Sequence, residues 1–172
     1  FAEWNQFGGN IYWVNDFNYQ PAYDGEALGK IFGNFDGQPQ SDSGVYQFVA
    51  AAPGEEWTGS VNVLHRGDDA LAGANLALLV MSWQDANGAE ISADAVVMLD
   101  ANSPTDEWLN YELSGAAPAG TARIGFYILF LQFADDNYPF GAPGAMFFDL
   151  AGLELTGDGC FADYNGDGLV DT

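Results

Sequence analysis

The sequence predicts an all-β fold, a sandwich or barrel, and three observations carry that reading. Stretches rich in β-branched and aromatic residues recur along the chain, Gly, Pro, Asn and Asp separate them at fairly regular intervals, and no stretch sustains a helical period. At 172 residues the chain has room for one domain with a full core and a tail, and is too short for two ordinary domains.

The candidate strands follow in order. "GNIYWVN" and "ALGKIFGNF" open the series. In "GVYQFVAA", Val45, Gln47 and Val49 share one face and Tyr46, Phe48 and Ala50 the other, a period of two, before Pro53 and Gly54 close the segment. "WTGSVNVLH" and "NLALLVMSWQD" come next, and "DANG" at Asp85 to Gly88 supplies a tight hairpin turn into "AVVMLD". "WLNYELSG" follows the "SPTDEW" loop, and "APAG" leads into "TARIGFYILFLQF". There Ile124, Phe126, Ile128 and Phe130 alternate with Gly125, Tyr127, Leu129, Leu131 and Phe133, so both faces are apolar. A strand of that kind in an antiparallel sheet lies under a loop, carries a ligand or meets another subunit, and the pattern leaves the three open. "AMFFDLAGLEL" completes the series.

Three basic residues (Lys30, Arg66, Arg123) face twenty-five acidic ones, for a formal charge of −22. Internal ion pairing cannot neutralise that field, so cations must come from outside. Nucleic acid and anionic membrane surfaces are excluded as partners, because both require basic groups. No run of eighteen apolar residues is present, and the start at Phe1 reads as a processed or excised end. Cys160 has no second cysteine in this sequence and admits two readings, a buried or idle thiol, or a bridge to another chain or to a segment outside this sequence.

The segment 158–172 reads as a tail with its own chemistry. "DYNGDGLVD" gives Asp163, Asn165, Asp167, Leu169 and Asp171 the spacing of the first nine positions of an EF-hand-type calcium loop, with Gly168 at the sharp turn. Side-chain oxygens at positions one, three and five, a backbone carbonyl at seven and a side chain or water at nine suit Ca2+. The twelfth position lies beyond Thr172, so its ligand would come from a downstream segment, from water, from the sandwich or from another protomer. The plainer reading is a pair of Asn-Gly and Asp-Gly turns without metal.

Taken in order, "FAEW", "DGEALGKIFGNF", "SGVYQFVAAAPGEEWTGSVNV", "DDALAGANLALLVMSWQDANGAEI", "SPTDEWLNYELSGAAPAGTARIGFYILFLQ" and "AMFFDLAGLEL" resemble the β-jelly-roll carbohydrate-binding modules with a galactose-binding-like fold found beside bacterial glycoside hydrolases. The likeness covers residues 1–157, and the tail resembles the first calcium loop of a dockerin or of a related thrombospondin-type calcium repeat. It implies an antiparallel β-sandwich of jelly-roll type, a secreted or cell-surface location, a polysaccharide or glycan partner, and no catalytic role. It also implies a structural calcium held by Glu3 and Asp149 with backbone carbonyls around Asp24 to Glu26.

Sugar binding asks for aromatic rings to stack on the apolar faces of pyranose rings, with amides and carboxylates to meet the hydroxyls. "IYWVNDFNYQPAYDG" is dense in such groups, with Tyr12, Trp13 and Tyr19 foremost, and Trp83, Gln132 and Tyr138 are expected to join the same face or its rim. The net charge favours neutral polysaccharide over sulfated or uronate-rich chains. His65 in "VLHRGDD" lacks a recognisable nucleophile motif around it, and a loop hydrogen bond accounts for it. The alternative function is a structural subunit of an extracellular fibre or surface assembly, self-associating through its termini.

Overall fold

The computed structural model describes residues 4–15 and 19–157. Ten strands and no helix occur among these residues: β1 (Asn5–Phe7), β2 (Ile11–Val14), β3 (Leu28–Phe32), β4 (Gln40–Ala50), β5 (Glu56–Leu64), β6 (Leu76–Gln84), β7 (Glu90–Leu99), β8 (Leu109–Ala116), β9 (Arg123–Phe133) and β10 (Ala145–Gly157). They form two five-stranded antiparallel sheets. Sheet A runs β1-β4-β9-β6-β7, and sheet B runs β2-β3-β10-β5-β8. The chain passes from one sheet to the other repeatedly, so neighbours in space are distant in sequence, and the predicted antiparallel β-sandwich is the fold observed.

Alternation decides which side chains fill the space between the sheets. From sheet A, Val45, Ala77, Leu79, Met81, Trp83, Ile124, Phe126, Ile128 and Phe130 point inward; from sheet B, Ile31, Trp57, Val61, Val63, Met146 and Phe148 meet them in one continuous core. A second, smaller cluster lies on the outer side of sheet B. There Leu28, Leu64 and Phe147 pack with Val14, Ala22 and Trp108, so the segment 19–27 and the loop before β8 cover that part of the sheet.

The two outer faces therefore differ. Sheet B is partly roofed, whereas sheet A stays open at Phe7, Phe48 and Val97, which are 36%, 41% and 49% exposed. β9 lies at the centre of sheet A between β4 and β6, which explains its two apolar sides. Its inner side is core, and its outer side lends Tyr127, Leu129 and Leu131, half-buried by their neighbours, to the open face.

Two expectations about surface residues need correction. Trp83 is 1% exposed and belongs to the core, its indole nitrogen donating to Asp94 Oδ2 at 2.9 Å. Gln132 is 1% exposed; it donates to the Ala142 carbonyl at 2.9 Å and accepts the Phe35 N–H at 2.9 Å, tying two loops to the end of β9. Both lie in phase with the inward residues of their strands, and neither is available to a ligand.

His65 is also fully buried. Its Nε2 donates to the carbonyls of Ser103 and Pro104 at 3.0 and 3.1 Å while Nδ1 accepts the Leu71 N–H at 3.1 Å, so the ring ties the β5–β6 loop to the β7–β8 loop.

Candidate functional site: the outer face of sheet A

Register places the outward residues of sheet A in rows. One row carries Asn5, Tyr46, Tyr127, Val80 and Ala95 across five strands, and the next carries Phe48, Gly125, Ser82 and Ala93. A third brings Ala50, Arg123, Gln84 and Glu90 together. The two aromatic rows adjoin a polar one.

The rings touch one another. Tyr46 and Tyr127 stack at 5.3 Å with 21° between their planes, Phe48 meets Tyr46 edge-on at 5.2 Å and Tyr127 edge-on at 6.2 Å, and Phe7 lies 6.1 Å from Tyr46. Such mutual contacts restrict each ring and leave a continuous apolar surface that remains partly wet.

Gly125 makes room for this arrangement. A Cβ there would come within 2.6 Å of Tyr127 and 3.0 Å of Phe48, so the missing side chain lets both rings lie down over the strand. Because the obstructed atoms are ring edges rather than backbone, Gly125→Ala should displace the rings and spare the sandwich. The expected result is weaker ligand binding by titration calorimetry with a melting temperature shifted by only a few degrees, the scale of about 1 kcal/mol.

The polar row is wired to the aromatic ones. Arg123 donates from Nε to Gln84 Oε1 at 2.8 Å, which leaves Gln84 Nε2 to donate to Ser82 Oγ at 3.1 Å and to the Tyr127 hydroxyl at 3.4 Å. Ser82 in turn donates to Glu90 Oε2 at 2.7 Å. Gln84 and Ser82 are buried beneath this chain, 6% and 2% exposed, and their bonds satisfy polar groups that would otherwise be costly to bury. The Arg123 guanidinium lies 4.1 Å from the centre of the Phe48 ring, a cation–π contact that joins the two zones.

The "DANG" turn supports the edge of this zone. The Asp85 carboxyl is held below the usual carboxylate range by the backbone N–H of Ala89, and then of Asn87, and the turn closes with the Gly88 N–H donating to the Asp85 carbonyl at 3.0 Å.

The aromatics singled out in the sequence are placed elsewhere. Tyr12 and Tyr19 gather on the outer side of sheet B around Lys30: Tyr12 stacks on Phe32 at 5.6 Å, and the Lys30 ammonium sits 5.3 Å from the Tyr19 ring and 5.5 Å from Phe32. Lys30 is committed there, donating to the Tyr19 hydroxyl and to Asp69 at 3.0 Å each. Burial is the largest single effect and lowers its pKa, but the bonds and charge interactions with Tyr19 and Asp69 together outweigh it and hold the ammonium above its usual value. Arg66 covers the Tyr19 ring at 4.4 Å and donates to the Tyr19 carbonyl. Trp13, one residue on from Tyr12, faces the other way and lines a hollow of about 240 Å³ with Trp4, Phe148 and Asp149. Tyr138 belongs to the 135–141 turn and packs beside Gly73. These residues do not form one face, although Tyr12 and Tyr19 share a neighbourhood.

For the metal set, Asp163, Asn165, Asp167, Leu169, Asp171 and Glu3 lie outside the described residues. Asp149 accepts the Asp24 N–H on Oδ2 at 3.0 Å, so it does sit beside the loop that the resemblance implies. No group of three His, Cys, Asp or Glu suited to a metal occurs among the described residues.

No protein-family model matches the sequence, and no curated protein matches it. Solved structures do resemble the fold. TmCBM61, solved with β-1,4-galactotriose, superposes with a TM-score of 0.56 at 18% identity, covering 90% of this chain and 90% of that one. The CBM22-1 xylan-binding domain of Paenibacillus barcinonensis Xyn10C gives 0.54 at 14% identity, over 91% and 87%. The enzymatically active domain of bacteriophage CBA120 tailspike protein 4 gives 0.60 at 12% identity over 90% of this chain, which spans only 19% of that one. At these identities the likeness is one of fold: the chain is a β-sandwich of the architecture seen in carbohydrate-binding modules.

Proposed function

We propose that this protein is a non-catalytic carbohydrate-binding module whose ligand lies across the outer face of sheet A. The observation that carries the reading is the contiguous patch of Phe7, Tyr46, Phe48 and Tyr127, bordered by the Arg123–Gln84–Ser82–Glu90 chain. Pyranose rings present C–H faces to aromatic surface and hydroxyls to carboxylate and guanidinium groups; this face supplies the first with Phe48, Tyr46 and Tyr127 and the second with Glu90 and Arg123, which the buried Ser82 and Gln84 hold in place. An open sheet surface suits the interior of a polysaccharide chain, which crosses without having to enter a closed pocket. The fold likeness to modules solved as xylan-binding or with galactotriose supports the choice of ligand class. Polysaccharide of this kind is met outside the cell, which is where we place the protein.

The test is retention on insoluble xylan and galactan, followed by calorimetric titration with the matching oligosaccharides. Saturable binding to at least one of them is expected. Absence of binding across a broad neutral and acidic glycan array would overturn the reading.

One observation favours a second reading. The aromatic patch continues into Leu129, Leu78 and Val97 on the same face, an apolar extension of the kind a subunit contact uses. A concentration-dependent dimer or fibre in which Leu129→Lys restores the monomer would establish it.

We further propose that calcium stabilises the protein, a reading supported by the ligand spacing of Asp163, Asn165 and Asp167 and by a formal charge of −22. Adding chelator at low ionic strength should lower the melting temperature, and calcium should restore it. An unchanged melting temperature would contradict this.

A further inference from the structure

The chain has three basic residues, and they are not used alike. Lys30 is paired with Asp69 at 3.0 Å and Arg66 with Asp68 at 2.7 Å. Arg123 has no carboxylate partner among the described residues, in a chain with twenty-five acidic side chains to choose from. Its position is nevertheless fixed. Gln84 Oε1 holds Nε at 2.8 Å, and the Phe48 ring supports the guanidinium plane.

Gly88 adds a further constraint. It sits in the "DANG" turn with φ +83°, and a Cβ there would fall 2.5 Å from Nη2 of Arg123. The guanidinium thus occupies the space a side chain would take. The Nη1 and Nη2 groups make no hydrogen bond among the described residues.

We propose that Arg123 determines specificity at this face by pairing with a carboxylate on the glycan, so that the ligand class is a polysaccharide bearing uronic acid. The proposal rests on the reading of sheet A as the glycan site. A planar guanidinium whose terminal nitrogens make no hydrogen bond among the described residues matches a carboxylate through two parallel charge-assisted bonds, and a neutral hydroxyl uses that fork less fully. The net charge opposes an acidic ligand at long range, but at physiological ionic strength screening acts over about 8 Å, so the contact pair decides the outcome. The nearest acidic member of the row, Glu90, accepts the Ser82 hydroxyl at 2.7 Å.

The experiment uses matched pairs of oligosaccharides on xylo-, galacto- and gluco-type backbones, each carrying one uronic acid or the same sugar with its carboxyl reduced to the alcohol. The wild-type protein should bind the acidic member of its preferred pair about tenfold more tightly than the reduced one. In Arg123→Gln the ratio should fall to near one. Addition of the acidic compound to wild-type protein should also shift the Arg123 Nε–H resonance, and the reduced compound should shift it much less; this readout needs no variant to fold.

Equal binding of the two members by wild-type protein, or a preference that survives Arg123→Gln, would overturn the inference and leave the glycan reading standing. Failure to bind any pair would overturn both.

Discussion

Trp83→Ala is expected to lower the unfolding free energy by about 3–5 kcal/mol, the scale of deleting a large buried aromatic side chain. Trp83 is 1% exposed, lies in the core among Met81, Ile124 and Phe126, and loses with its indole the 2.9 Å bond to Asp94. The removed bond adds to the effect, since Asp94 is left without its donor. Denaturant unfolding would show a lower midpoint with an unchanged slope. Whatever fraction stays folded should bind glycan with wild-type affinity. A stable variant with weakened binding would instead make Trp83 a ligand contact and the core assignment wrong.

Replacing Tyr46 and Tyr127 together by Ala should abolish measurable glycan binding. Each ring is expected to contribute about 1–3 kcal/mol, and the two are coupled because each supports the other at 5.3 Å. Stability should fall far less than in Trp83→Ala, because both rings lie on the outer face and are only half-buried. The single variant Tyr127→Ala also removes one of the two acceptors of Gln84 Nε2, so it should cost more than Tyr46→Ala. Calorimetry against the preferred oligosaccharide, paired with thermal unfolding, separates the two effects. Intact binding in the double variant would remove sheet A from consideration.

The sandwich was legible in the sequence because its signal is local. Period-two alternation in "GVYQFVAA" and the doubly apolar "ARIGFYILF" each specify a strand without reference to anything else. β1 escaped because three residues carry no period, and β4 begins earlier than the pattern shows because Gln40–Ser43 is polar. β7 extends back to Glu90 along an exposed sheet edge, where side-chain burial writes little into the sequence.

The candidate site was less legible, for a physical reason. Phe48, Gln84 and Arg123 meet only because β4, β9 and β6 pair in one register, and register between strands so far apart is not readable from any one of them. Density of aromatics in "IYWVNDFNYQPAYDG" is a local signal, and it marked the second cluster on sheet B instead. One clue was present. Trp83 is in phase with Leu79 and Met81, and Gln132 with Ile128 and Phe130, so phase alone assigned both to the side that became core once one face was known to be inside. In β9, with apolar residues on both sides, the sequence offered no way to tell which face that was.

The central claim, that glycan lies across the outer face of sheet A, is tested most directly by mapping backbone and side-chain chemical shifts of the isotope-labelled protein during titration with the tightest-binding oligosaccharide. The account predicts the largest shifts at Tyr46, Phe48, Ser82, Gln84, Arg123 and Tyr127, with Tyr12, Tyr19 and Lys30 unmoved. Shifts concentrated around Tyr12, Trp13 and Tyr19, with β4, β6 and β9 silent, would contradict it.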